Sequence, residues 1–149
     1  MTPAQRARQV VNLVNLSTPL GLAIARLGGA KVTRGPDGLL LGYGFRLLPQ
    51  RNFALTVGNV LLFRDDESVL LRRPRLLAHE SRHASQYALC VGPVMWPLYG
   101  LAAGWSWIRT GDPASRNIFE RRAGLADGGY EERPPRRIVR RRTGAERFR

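Results

Sequence analysis

Leu76-Leu77-Ala78-His79-Glu80-Ser81-Arg82-His83-Ala84-Ser85-Gln86 holds both histidines of the chain, four residues apart, with a glutamate after the first. Residues four apart stand about 40° from each other around an α-helix, one turn up. On a helix, His79 and His83 point the same way and can grip one metal ion. Glu80 lies beside that stripe, placed to take a proton from a water the metal polarises. The flanks suit a motif helix over residues 74–90. Pro74 is favoured in a first turn, and Leu76, His79/Glu80, His83, Tyr87 and Cys90 recur at the spacing of one inward face. Leu77, Ala84 and Ala88 widen that face, while Arg75 and Arg82 fall opposite. The competing reading is a core helix whose histidines bond main-chain carbonyls. Two imidazoles and a carboxylate buried together leave many polar groups to satisfy, which favours the metal.

A third ligand is sought downstream. Asp112-Pro113 starts a helix well and Gly128-Gly129 ends one, so a glutamate helix is expected over 112–128. Asn117, Glu120, Gly124 and Asp127 share one of its faces, with Ala123 beside them. Glu120 has the position of a metal ligand; its alternative is a surface pair with Arg116 or Arg121. Between the two helices, Tyr87 to Trp105 is 19 residues without a charge, close to the length of a membrane span. It also holds Pro93, Pro97, Gly92, Gly100 and Gly104. A span would put the histidines and Glu120 on opposite sides of a bilayer. The apolar connection, 91–111, is therefore expected to be buried or a shallow re-entrant hairpin, with peripheral membrane contact through residues 87–108 left open.

Upstream, residues 1–30 read as helical. Arg6 and Arg8 ahead of an apolar run resemble a secretion signal, but Asn12, Asn15, Ser17, Thr18 and Pro19 interrupt it. A packing helix broken at Pro19 is the preferred reading. Lys31–Arg34, a Gly35-Pro36-Asp37-Gly38 turn, Leu39–Phe45, Phe53–Val57 and Asn59–Phe63 give strand material over 31–64. The expected fold is α+β: a small antiparallel sheet of three or four strands packed with the motif helix and the glutamate helix. Asp65-Asp66-Glu67-Ser68 then caps a short helix ending near Arg72.

With 149 residues the chain suffices for one domain, expected over 1–130. Its one cysteine, Cys90, excludes an internal disulfide and an iron–sulfur cluster held by this chain alone. A reducing compartment is the simplest inference, so the expected location is cytoplasmic with membrane association open. The net charge of +13 is carried by arginine, Lys31 being the only lysine. From Glu131 onward eight arginines face three glutamates, a net +5, leaving +8 on residues 1–130. Residues 131–149 read as a basic disordered tail. Such charge suits nucleic acid or anionic lipid, and equally a solvated surface.

His79-Glu80-x-x-His83 followed by Asn117-x-x-Glu120-x-x-Ala123 resembles the gluzincins, zinc metallopeptidases whose third ligand is a glutamate on a later helix. The similarity is closer to small bacterial minimal-gluzincin domains, whose extended patterns Gln86 and Asn117 match, and it covers roughly residues 31–130. The resemblance implies Zn2+ held by His79, His83 and Glu120, and Glu80 as general base in hydrolysis of a peptide bond. The active enzymes add a donor histidine after the glutamate; none follows Glu120 here, and Tyr130 is the substitute candidate. Asp127 is a candidate to orient a ligand imidazole, with Gln86 and Asn117 as further supporting residues. Two other readings stand beside a peptidase acting on a peptide or protein. One is a catalytically silent zinc-binding domain. The other is a basic module for membrane or nucleic acid, using Arg136, Arg137, Arg140, Arg141 and Arg142 with Trp96, Trp105 and Trp107.

Overall fold

Val60-Leu61-Leu62-Phe63 is an unbroken apolar run, stable as a strand only where both faces of a sheet are covered. In the computed structural model, which describes residues 1–48 and 52–136, it forms β4 (Val60–Phe63) and every residue of it is buried. The sheet runs β1 (Lys31–Arg34), β2 (Leu40–Tyr43), β4, β3 (Ala54–Val57). Its four strands fall within the expected three or four, and it is mostly antiparallel; β2 and β4 pair in parallel, Leu40 opposite Val60. That departure has a cause in the composition. Of the β3–β4 hairpin, β4 is apolar on both faces and takes the inner position, while β3, which carries Thr56, is left at the edge.

The alternation of the strands sorts the core into layers. Leu41, Leu61 and Phe63 pack against Val69 of α3 (Ser68–Arg72) and Leu76 and Ala84 of α4 (Leu76–Leu89). On the other face Val60 and Leu62 meet Ala25 of α2 (Ser17–Leu27), with Phe45 and Leu48. Gly58 turns the β3–β4 hairpin at φ 61°, and a Cβ there would stand 2.6 Å from the Ser17 carbonyl carbon. Only glycine meets both demands.

The N-terminal region is two helices, α1 (Pro3–Val14) and α2. Their break lies at Asn15–Leu16, where Leu16 has φ 65°, and not at Pro19, which sits in the first turn of α2 where its missing N–H costs nothing. Nor does α1 pack by its apolar residues. It buries Arg8 and Asn12 and exposes Val10, Leu13 and Val14. Asn12 donates to Asn59 Oδ1 and to the Ala84 carbonyl, and Arg8 to Ser81 Oγ and the Asp37 carbonyl.

The apolar connection is largely a helix, α5 (Met95–Thr110), and it is exposed rather than buried, with only Met95, Ser106 and Thr110 inside. It is held at its ends, by Met95 in the cluster with Val57 and Tyr87 and by Ser106 and Thr110 bonding the Asp112 carbonyl. No single helix among the described residues is long and apolar enough to cross a membrane, and the chain bends by 111° between α4 and α5. The glutamate helix is shorter than the expected 112–128: α6 covers Ile118–Ala123. Asp112 turns the chain instead of capping a helix, its carboxylate accepting from the N–H groups of Ala114 and Ser115. Asn117 then caps α6, and Gly124 at φ 89° ends it. Residues 131–136, assigned to the tail from sequence, lie on the body through Arg133 N–H to Ser115 Oγ and Arg136 N–H to the Arg109 carbonyl. The rest of that tail lies outside the described residues.

Candidate metal centre

Helix α4 carries His79, Glu80 and His83 on its buried side, and α6 crosses it so that Glu120 faces them; all four are buried. His79 Nε2 and His83 Nε2 stand 3.1 Å apart, and Glu120 Oε2 is 3.2 Å from the first and 3.5 Å from the second. This buried His-His-Glu group could hold a metal ion.

The outward hydrogen bonds of the three residues fix what faces the centre. His79 Nδ1 lies 3.2 Å and 3.0 Å from the carbonyls of Ala123 and Gly124, which only accept, so it carries the ring proton there. Gln86 donates through Nε2 to the Phe119 carbonyl and thereby turns Oε1 toward His83 Nδ1, 2.8 Å away. His83 also donates outward. Tyr99 donates to Glu120 Oε1 at 2.5 Å, while buried Glu120 Oε2 has no donor among the described residues. Two imidazole lone pairs and a carboxylate oxygen thus converge without a proton to share in the neutral-imidazole state. Such a triangle repels itself unless a cation occupies its centre, and an orphaned buried oxygen is costly.

Burial works to raise the Glu120 carboxyl, yet its contacts with His79, His83 and Tyr99 hold its pKa down at about 2. Burial works to lower His83, and neighbouring Glu120 and Glu80 raise it overall. The site as built favours positive charge at its middle. Glu80 differs: burial pushes its pKa up against the pull of His83 and of the Thr56 hydroxyl, which donates to its Oε2 at 2.6 Å. Burial and the two glutamates keep the Tyr99 hydroxyl protonated.

The remaining residues singled out from sequence take varied places. Gln86 does fix a histidine. Asn117 acts one step further out, accepting from Phe119 N–H to start the helix that bears Glu120. Asp127 does not orient an imidazole. Its carboxylate accepts from Arg82, 2.8 Å away, and lies near Arg75; the orienting role falls to main-chain carbonyls at the end of α6. Arg82, placed on the far side of α4 by spacing, is long enough to reach round and donate to the Ala123 carbonyl at 2.6 Å. Tyr130 sets its ring centroid 6.0 Å from that of His79. Gly128 lies so near His79 that a Cβ would come within 2.7 Å of Nε2.

A cavity of about 290 Å³ opens over the group, lined by His79, Glu80, His83, Glu120 and Tyr130, by Ala54, Leu55 and Thr56 of β3 and by Met95, Trp96 and Tyr99 of the α5 segment. Sequence reasoning missed Tyr99. It sits inside the uncharged run, and its only signal there was a hydroxyl on an otherwise apolar segment. No protein-family model, no curated protein and no solved structure matches the chain, so the group stands on its own geometry.

Proposed function

We propose that the protein is a zinc-dependent hydrolase of peptide bonds, with His79, His83 and Glu120 as the ligands and Glu80 as general base. The observation that carries this reading is the triangle of donor atoms, with edges of 3.1, 3.2 and 3.5 Å. Ligands of a tetrahedral zinc at about 2.0–2.1 Å stand about 3.3 Å apart, so these three atoms fit three corners. When bound, zinc supplies Lewis acidity and makes water a nucleophile near neutral pH. Glu80 lines the same cavity with a carboxyl whose pKa is raised by burial, as suits a group that accepts a proton and passes it to a leaving amine. Tyr130 is a hydroxyl on that wall placed near His79 to donate to a developing oxyanion, since Tyr99 is committed to Glu120.

A peptide suits the cavity because one wall is a sheet edge. In a hairpin closed by the two-residue Gly58-Asn59 turn, Val57 and Leu55 spend their main-chain groups on β4. Ala54 and Thr56 aim theirs outward, where an extended peptide can pair with them. Metal analysis of the purified protein and an assay on a mixed peptide library test the proposal. Wild type should carry one zinc per chain, His79→Ala and Glu120→Ala none. Glu80→Gln should keep the zinc and lose turnover by at least about a hundredfold. Metal-free wild type, or turnover surviving in Glu80→Gln, overturns it.

A further inference from the structure

We infer that the protein docks on an anionic lipid surface through α5 and the outward face of α1. The first observation is the inverted packing of α1. A helix that buries Arg8 and Asn12 leaves Val14 75% and Leu16 65% exposed at its end, the reverse of a soluble surface helix. The second is α5, where Leu101 is 74% exposed and Ile108 68%, and which carries all three tryptophans of the chain. The two helices meet at one end: the turn between α4 and α5 abuts the end of α1, Gly92 lying against Asn15, with exposed Leu89 and Val91 at the junction.

Charge decides the occupant. No charged residue occurs from Tyr87 to Ile108; then Arg109 sets its guanidinium over the Trp105 ring, 5.5 Å from the centroid. The chain returns to this same end of α5, where Arg136 N–H donates to the Arg109 carbonyl at 2.7 Å. Beyond that point the sequence of residues 137–149 holds six arginines against Glu146. An apolar helix with interfacial tryptophans and arginine at its end matches a bilayer of anionic headgroups. A second copy of this chain would instead bring two bodies of +13 together, tails included. With 16 residues, α5 is about 24 Å long, which suits lying in the interface better than crossing it. Because the α5 segment also supplies Met95, Trp96 and Tyr99 to the cavity wall, docking sets the cavity beside the bilayer. The docking itself does not depend on the metal.

The test is co-sedimentation of the full chain with phosphatidylcholine vesicles, with and without phosphatidylglycerol, alongside tryptophan fluorescence. The expected result is binding to the anionic vesicles, at least about tenfold weaker to neutral ones, with a blue shift of emission on binding. Leu101→Glu combined with Ile108→Glu, both at exposed positions, should weaken binding at least about tenfold, and removal of residues 137–149 should weaken it on anionic vesicles only. His79→Ala should bind as wild type does, which separates this proposal from the zinc reading. No sedimentation and no blue shift with wild type overturns it. So does undiminished binding by the double variant, or a dimer in vesicle-free buffer that the double variant dissolves.

Discussion

Single atoms constrain this molecule most tightly. His79 and His83 each spend Nδ1 outward, so both Nε2 lone pairs meet Glu120 Oε2, and a cation is the economical solution. Tyr99 completes this by holding the other oxygen of Glu120. Tyr99→Phe should leave the three ligands in place yet lower metal affinity about 10- to 100-fold, as measured by competition with a chromophoric chelator. Affinity equal to wild type would show that the hydroxyl does nothing for Glu120. The His-His-Glu group itself was legible in the sequence, because helical spacing fixes the relation of His79, Glu80 and His83, and Glu120 shares its face with Asn117 and Gly124, with Ala123 beside them, on a later segment. What oriented the ligands was not. Main-chain carbonyls at the end of α6 have no sequence signature, and Tyr99 is brought to Glu120 by a bend that pattern alone does not locate. Asp127 shows the converse error: an acidic residue at suitable spacing found arginine before it found imidazole.

Elements were legible where local chemistry and burial agree. The apolar run of β4, the short α3 and the motif helix all appear close to where the pattern put them. They were illegible where a polar network outweighs the apolar pattern. In α1 the apolar residues suggested a packing face, but Asn12 finds two buried acceptors and wins the inner position. The consequence is an inverted order of sensitivity along one helix. Asn12→Ala strips the donor from the Ala84 carbonyl and Asn59 Oδ1 and should cost about 1–3 kcal/mol. Val14→Ser, at a site 75% exposed, should stay within about 0.5 kcal/mol of wild type. Urea unfolding of the two variants reads both values. A larger loss for Val14→Ser would restore the ordinary packing of α1. In α6 a similar competition shortened the helix, since Asp112 satisfies the N–H groups of Ala114 and Ser115 without any helix at all.

Across the whole molecule, the His-His-Glu group spans the junction between the sheet body and the C-terminal segment. α4 belongs to the main core through Leu76 and Ala84, and α6 is joined to it by polar contacts from Arg82, Gln86 and the histidines and by Phe119, which packs against the cluster of Val57, Tyr87 and Met95. An ion held by both helices would act as a clasp between the sheet body and the C-terminal segment, and its binding free energy would add to folding. At a free concentration about a thousand times Kd the added stability is about 4 kcal/mol. For a chain of this size that amounts to roughly 8–16 °C in Tm. Thermal unfolding with zinc and with a strong chelator should show a gap of that order in wild type. In Glu120→Ala the gap should close, while Glu80→Gln, which leaves every ligand in place, should keep it. A gap of equal size in Glu120→Ala would mean that the ion binds elsewhere.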